Sequence, residues 1–188
     1  ILRPQVWALQ SHMLVENLHA MAPGASVVYL GTTSSLDLTN GATLAVDAHL
    51  GDVVMNGWYS LGENSNPASM AQVSHTSMQA AALGISLLFA AGSVGDNTAQ
   101  GGTRGPESPA SDPMVTAVGA TSLIPGKDEV GWAKSVLTLS EGAWVEDKQT
   151  TFRGGVSGRS ALFARPSYQA GVVPASLAPG MRTIPDLG

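Results

Sequence analysis

Residues 67–92 read Pro67-Ala68-Ser69-Met70-Ala71-Gln72-Val73-Ser74-His75-Thr76-Ser77-Met78-Gln79-Ala80-Ala81-Ala82-Leu83-Gly84-Ile85-Ser86-Leu87-Leu88-Phe89-Ala90-Ala91-Gly92. Proline suits the first turn of a helix, where its missing N–H has no partner to lose, and the Ala, Met and Gln that follow are strong helix formers. Gly84 supplies a left-handed stop. The apolar run Ile85 to Ala91 is short and reads as a strand buried on both faces, the kind found in parallel sheets. A helix followed at once by such a strand is half of an α/β crossover unit.

The same alternation extends upstream. Val6, Leu9, Met13, Leu14 and Leu18 recur at three- and four-residue spacing and predict an amphipathic helix from Gln5 to Met21, stopped by Pro23-Gly24. Ser26-Val27-Val28-Tyr29-Leu30 reads as a short buried strand running into the turn residues Gly31 to Ser35. Leu38, Ala42, Ala45, Val46 and His49 carry a second helical stripe ended by Gly51, and Asp52 to Asn56 reads as another strand. Downstream, Asn97 to Asp112 is expected as a long surface loop, Val115 to Val118 as a strand, and Val130 to Trp132, Val136 to Leu139 and Gly142 to Trp144 as β-ribbon arms. Residues 154–188 show little periodicity and read as loop-rich. The element order predicts an α/β fold with a mostly parallel sheet flanked by helices, residues 1–188 forming a single domain.

Composition narrows the functional classes. The 188 residues are 44% hydrophobic and 12% charged, which is enough apolar side chain for a core. Nine Lys and Arg against fourteen Asp and Glu give a net charge of −5 with no basic block, which argues against nucleic acid as a partner. The absence of cysteine excludes disulfides, thiolate metal sites and a cysteine nucleophile. No apolar run approaches the ~18 residues that would span a bilayer as a helix.

Lone titratable residues carry little signal. His12 and Glu16 share a helix face with His19 one turn on, but no third ligand follows at a metal-site spacing, so a solvated polar stripe is the simpler reading. His49, His75 and the carboxylates Asp37, Asp47, Glu141 and Glu146 read as surface. Trp58, Trp132 and Trp144 could stack on a sugar or peptide, although packing is the commoner use of such rings. The glycines of Ala91-Gly92-Ser93-Val94-Gly95 do not fit a dinucleotide fingerprint. The strand ends after Asn56 and Ala91 nonetheless fall at the carboxyl edge of a parallel sheet, where open α/β folds bind ligands.

Four segments carry a family resemblance: His19-Ala20-Met21-Ala22-Pro23-Gly24-Ala25; Pro109-Ala110-Ser111-Asp112-Pro113 running into Val115-Thr116-Ala117-Val118-Gly119; Leu162-Phe163-Ala164-Arg165-Pro166-Ser167-Tyr168-Gln169; and Val172-Val173-Pro174-Ala175-Ser176-Leu177-Ala178. With the element order they resemble the sedolisins, the serine-carboxyl peptidases, and most closely the secreted actinobacterial members. The resemblance implies a three-layer subtilisin-like fold and a secreted protein.

In that family a Glu and an Asp four residues apart on a helix activate a serine, and a further Asp stabilises the oxyanion. The resemblance puts these carboxylates at Gln10, Leu14 and Ser93, so all three are replaced. The substrate-binding strand falls on Asn56, Gly57, Trp58 and Tyr59, with Tyr59 standing where a glycine would let peptide backbone lie close. The family's nucleophile segment and calcium ligands fall past Gly188, so no nucleophile, metal or cofactor is expected here, and a central strand of the sheet falls before residue 1. The expectation is therefore a partial domain, inactive in proteolysis, with a structural or binding role. A complementing strand from another chain or a second copy, or a rearranged smaller sheet, would close it, and a peptide is a further candidate ligand. The alternative is part of an active serine endopeptidase whose serine is supplied elsewhere.

Overall fold

A computed structural model describes residues 4–63, 66–95, 105–126, 128–134, 137–146 and 153–188. Helices Pro4–Met21 (α1), Leu38–Asp47 (α2) and Pro67–Leu83 (α3) alternate with strands Val53–Asn56 (β1), Ser86–Ala90 (β2) and Thr116–Val118 (β3). The strands form one parallel sheet in the order β1-β2-β3, with Val53 opposite Ser86 and Leu88 opposite Thr116. The α/β class with a parallel sheet is as expected.

Local chemistry explains the central unit. Asn66 caps α3, its side-chain oxygen accepting from the Ser69 amide at 3.1 Å, and Pro67 occupies the first turn. Gly84 ends the helix at φ 75°, while the Ile85 amide returns to the Ala80 carbonyl. The next residues enter the core directly, where Ile85, Leu87, Phe89 and Ala91 pack with Val46, Val73, Ala80, Val115, Ala117 and Ile184. Burying a side chain such as Phe89, 1% exposed, is worth about 1.5–3 kcal/mol. Helices α2 and α3 meet along a hydroxyl seam, Thr39 with Ser69 at 2.8 Å and Thr43 with Thr76 at 2.9 Å. Ahead of α2, the exposed Asp37 carboxylate accepts from Ser34 and Thr33 hydroxyls, which hold its pKa below the usual range.

Among the described residues eight further strands follow: Thr121–Ser122 (β4), Val130–Gly131 (β5), Ala133–Lys134 (β6), Leu137–Ser140 (β7), Ala143–Glu146 (β8), Arg153–Gly154 (β9), Gly158–Ala164 (β10) and Met181–Ile184 (β11). They pair antiparallel as β4 with β5, β6 with β9, β7 with β8 and β10 with β11, so ribbon arms fill the C-terminal half as expected.

Two expectations are corrected. Ser26–Leu30 is not a strand: it runs without a partner among the described residues, with Val28 61% and Tyr29 65% exposed. A strand exists only by pairing, and the free edge of β1 does not pair with this segment. Helix α1 forms as expected, and its apolar stripe is largely uncovered: Val6, Leu9, Met13 and Leu18 face solvent and Leu14 is partly covered. Residues 106–112 are not a surface loop but are buried, because Glu107 and Asp112 anchor them to neighbouring elements; 97–104 lie outside the described residues, as does Val136 of the expected arm. The C-terminal stretch is loop-rich as expected, and within it β10 pairs antiparallel with β11, whose Arg182 is buried.

Candidate functional site

Strands β1 and β2 deliver two short segments to the carboxyl edge of the sheet, Gly57-Trp58-Tyr59 and Gly92-Ser93. Helix α1 crosses above the first. The Gln10 carboxamide donates to the Gly57 carbonyl, and Leu14 presses so closely on Gly57 that a Cβ there would lie 2.7 Å from Leu14 Cδ1. Only glycine fits. The Tyr59 hydroxyl reaches the Ser93 hydroxyl at 3.0 Å. The structure therefore gathers Gln10, Leu14, Gly57, Tyr59 and Ser93 along one edge. Asn56 and Trp58 point elsewhere: Asn56 is buried with its amide on the Leu88 carbonyl, and the Trp58 ring meets Phe89 edge-on, centroids 5.1 Å apart.

Two buried carboxylates that sequence reasoning missed fix the loop carrying Tyr59. Glu107, fully buried, accepts from the Gly62 amide; Glu63, 7% exposed, accepts from the Ser160 hydroxyl and from the Ala161 amide, the latter at 2.7 Å. Ser60 and Ser108 exchange backbone hydrogen bonds beside them. Single acids in Gly-, Ser- and Pro-rich segments look like solvated turns, and no local pattern marks them as interior. Gly92 is part of the same packing: at φ 120°, with Val156 Cγ2 2.8 Å from where a Cβ would lie, it admits no side chain.

Chemically, this edge offers a carboxamide, an aliphatic group and two hydroxyls, with the buried Glu107 behind Gly92, its Cγ 3.0 Å from where a Cβ on that glycine would lie. Among the described residues no three His, Asp or Glu side chains group to hold a metal, so His12, Glu16 and His19 do not form a centre. His49 lies 3.7 Å from Asp52 at the surface and His75 is exposed. Trp132 lines a shallow cleft of about 220 Å³, whereas Trp144 is 69% exposed rather than packed.

No family model matches the chain. Kumamolisin of Bacillus sp. (strain MN-32) is 32% identical over 181 residues, covering 92% of this chain and 31% of its own length. A solved Pseudomonas sedolisin, a serine-carboxyl proteinase complexed with two molecules of pseudo-iodotyrostatin, superposes with a TM-score of 0.66 at 23% identity, over 82% of this chain and 42% of that one. That structural likeness speaks for the subtilisin-like fold alone. The chain spans about a third of the length of the curated relative it matches.

Proposed function

The chain is a stretch of sedolisin-family sequence, and from that premise we propose that it does not hydrolyse peptides but serves as a folded binding or structural module. One observation carries this reading: Gln10 and Leu14, at the positions the resemblance gives to the paired carboxylates, pack against Gly57 and leave no proton acceptor there. Tyr59 adds to it, because its hydroxyl occupies Ser93, where the oxyanion donor would stand. A secreted location belongs to the same reading; among the described residues no helix is long and apolar enough to cross a membrane.

Incubation with a broad peptide library at acidic and neutral pH is expected to give no cleavage. Cleavage abolished by a serine-directed inhibitor would overturn the proposal in favour of the second reading, a sedolisin-type serine endopeptidase completed by a nucleophile from elsewhere. The similarity to kumamolisin speaks for that reading.

The open sheet suggests the partner. Among the described residues strand β1 pairs on one side only, Ser26–Leu30 has no ladder partner, and Val6, Leu9 and Met13 of α1 are exposed. Unpaired backbone edges beside apolar surface favour pairing with further polypeptide. We propose a complementing strand from another chain or a second copy. Sedimentation velocity is expected to show concentration-dependent assembly or a companion polypeptide. A single monomeric species at every concentration would remove the need for a partner.

A further inference from the structure

On the flank of α1, away from the Gln10–Gly57 contact, the helix and the segment after it flank an open groove of about 480 Å³. Its lining includes Trp7, Ser11, His12, Val15, Glu16 and Tyr29. Four-residue spacing sets Trp7, Ser11 and Val15 in one row and His12 and Glu16 in the next, so one face of the helix presents an aromatic ring, an aliphatic group and a carboxylate together. The opposite wall is Tyr29, held by a hydrogen bond of 3.1 Å between its hydroxyl and that of Ser11. That contact fixes the second ring and engages both hydroxyls with each other, leaving Glu16 as the wall's acidic group.

The chemistry of the lining selects its ligand. Aromatic faces carry negative quadrupole charge and attract organic cations, which also gain by covering hydrocarbon surface. The volume falls within the range of ordinary small-molecule sites, ~300–1,000 Å³. Neither of the two ion pairs among the described residues involves Glu16, and the chain carries a net charge of −5, so the local and the overall field both favour a positive guest. We propose that this groove binds an organic cation, an alkylammonium or guanidinium head, with Trp7 and Tyr29 supplying the π faces and Glu16 the counter-charge. The head can belong to a free amine or to a Lys or Arg side chain of a bound polypeptide.

The test titrates the chain with choline and with 3,3-dimethylbutan-1-ol, its uncharged isostere, following tryptophan fluorescence and NMR shifts of residues 7–29. Saturable binding of choline about tenfold tighter than of the alcohol is expected, with at least a fivefold loss in Glu16→Gln and weakening as salt is raised. Glu16 is exposed, so this variant keeps the fold, which far-UV circular dichroism verifies. A second arm compares a capped Ala-Lys-Ala peptide with its acetyl-lysine form: tighter binding of the lysine peptide than of choline assigns the polypeptide source, and the reverse order assigns a free amine. Equal binding of choline and alcohol, indifference to Glu16→Gln, or no saturable response to either cation overturns the proposal.

Discussion

Replacing Asp186 by alanine is expected to lower the unfolding free energy by about 3–5 kcal/mol, because it strands a buried guanidinium. Arg182 is fully buried, and its two terminal nitrogens meet the two Asp186 oxygens at 2.5 and 2.6 Å. The same carboxylate accepts from the Ala117 amide at 2.8 Å and from Gln169 at 3.1 Å, so it joins β3, β11 and the Ser167–Gln169 turn. Arg182 cannot shed its charge, and its remaining acceptors, the Thr183 and Val115 carbonyls, are neutral. Tyr168 adds a ring face 5.6 Å away, which does not replace a carboxylate.

For a chain of this length each kcal/mol shifts the melting temperature by roughly 2–4 °C, so a drop on the order of 10 °C is expected for Asp186→Ala. Adding Arg182→Met to that variant should recover part of the loss, since no charge then remains buried. Urea and thermal unfolding of the two variants beside the parent check both statements. A change below about 1 kcal/mol in Asp186→Ala would falsify the assignment of this pair as the tie between β11, β3 and the Ser167–Gln169 turn.

The sequence made the α3–β2 unit readable because every local signal agrees there: Pro67, the Ala-rich helix, Gly84 and the apolar run. Ser26–Leu30 has the same strand-like composition and no partner, and composition cannot supply the second half of a ladder. The stripe Val6, Leu9 and Met13 marks an apolar face correctly, but periodicity does not say whether anything covers that face.

Of the candidate site, the resemblance marked Gln10 and Leu14, and the structure brings both to Gly57. Tyr59, which stands where a glycine is expected, lies with its hydroxyl 3.0 Å from that of Ser93. Glu63, Glu107 and Asp112 remained hidden, because a carboxylate in a turn-rich stretch looks solvated until the backbone amides and hydroxyls that bind it are brought in from distant positions. For Glu63 and Ser160 that distance is 97 residues.

Asp112→Ala is expected to cost about 3 kcal/mol, through donors left without an acceptor rather than through lost packing. Asp112 is 2% exposed and accepts from the Ser74 hydroxyl, the Ser77 hydroxyl at 3.0 Å and the Met114 amide at 2.8 Å. It thereby pins α3 to the turn that feeds β3, on the far side of the sheet strand β2 from β1. Two of these donors have little relief: Ser77 is fully buried, with the Ser74 carbonyl at 3.0 Å as its one other acceptor, and the Met114 amide is fixed by the backbone. The carboxamide introduced by Asp112→Asn keeps one carbonyl oxygen and offers its N–H to Ser74, whose hydroxyl can turn to accept, so a loss of about 1–2 kcal/mol is expected. The decisive comparison adds Ser74→Ala and Ser77→Ala to Asp112→Ala. If stranded hydroxyls account for the cost, the triple variant is more stable than the sum of the separate changes predicts, and urea unfolding reads the difference as a coupling energy. Strict additivity would instead mean that the carboxylate acts on α3 by some route other than these hydroxyls, and the anchor would have to be sought at the Met114 amide alone.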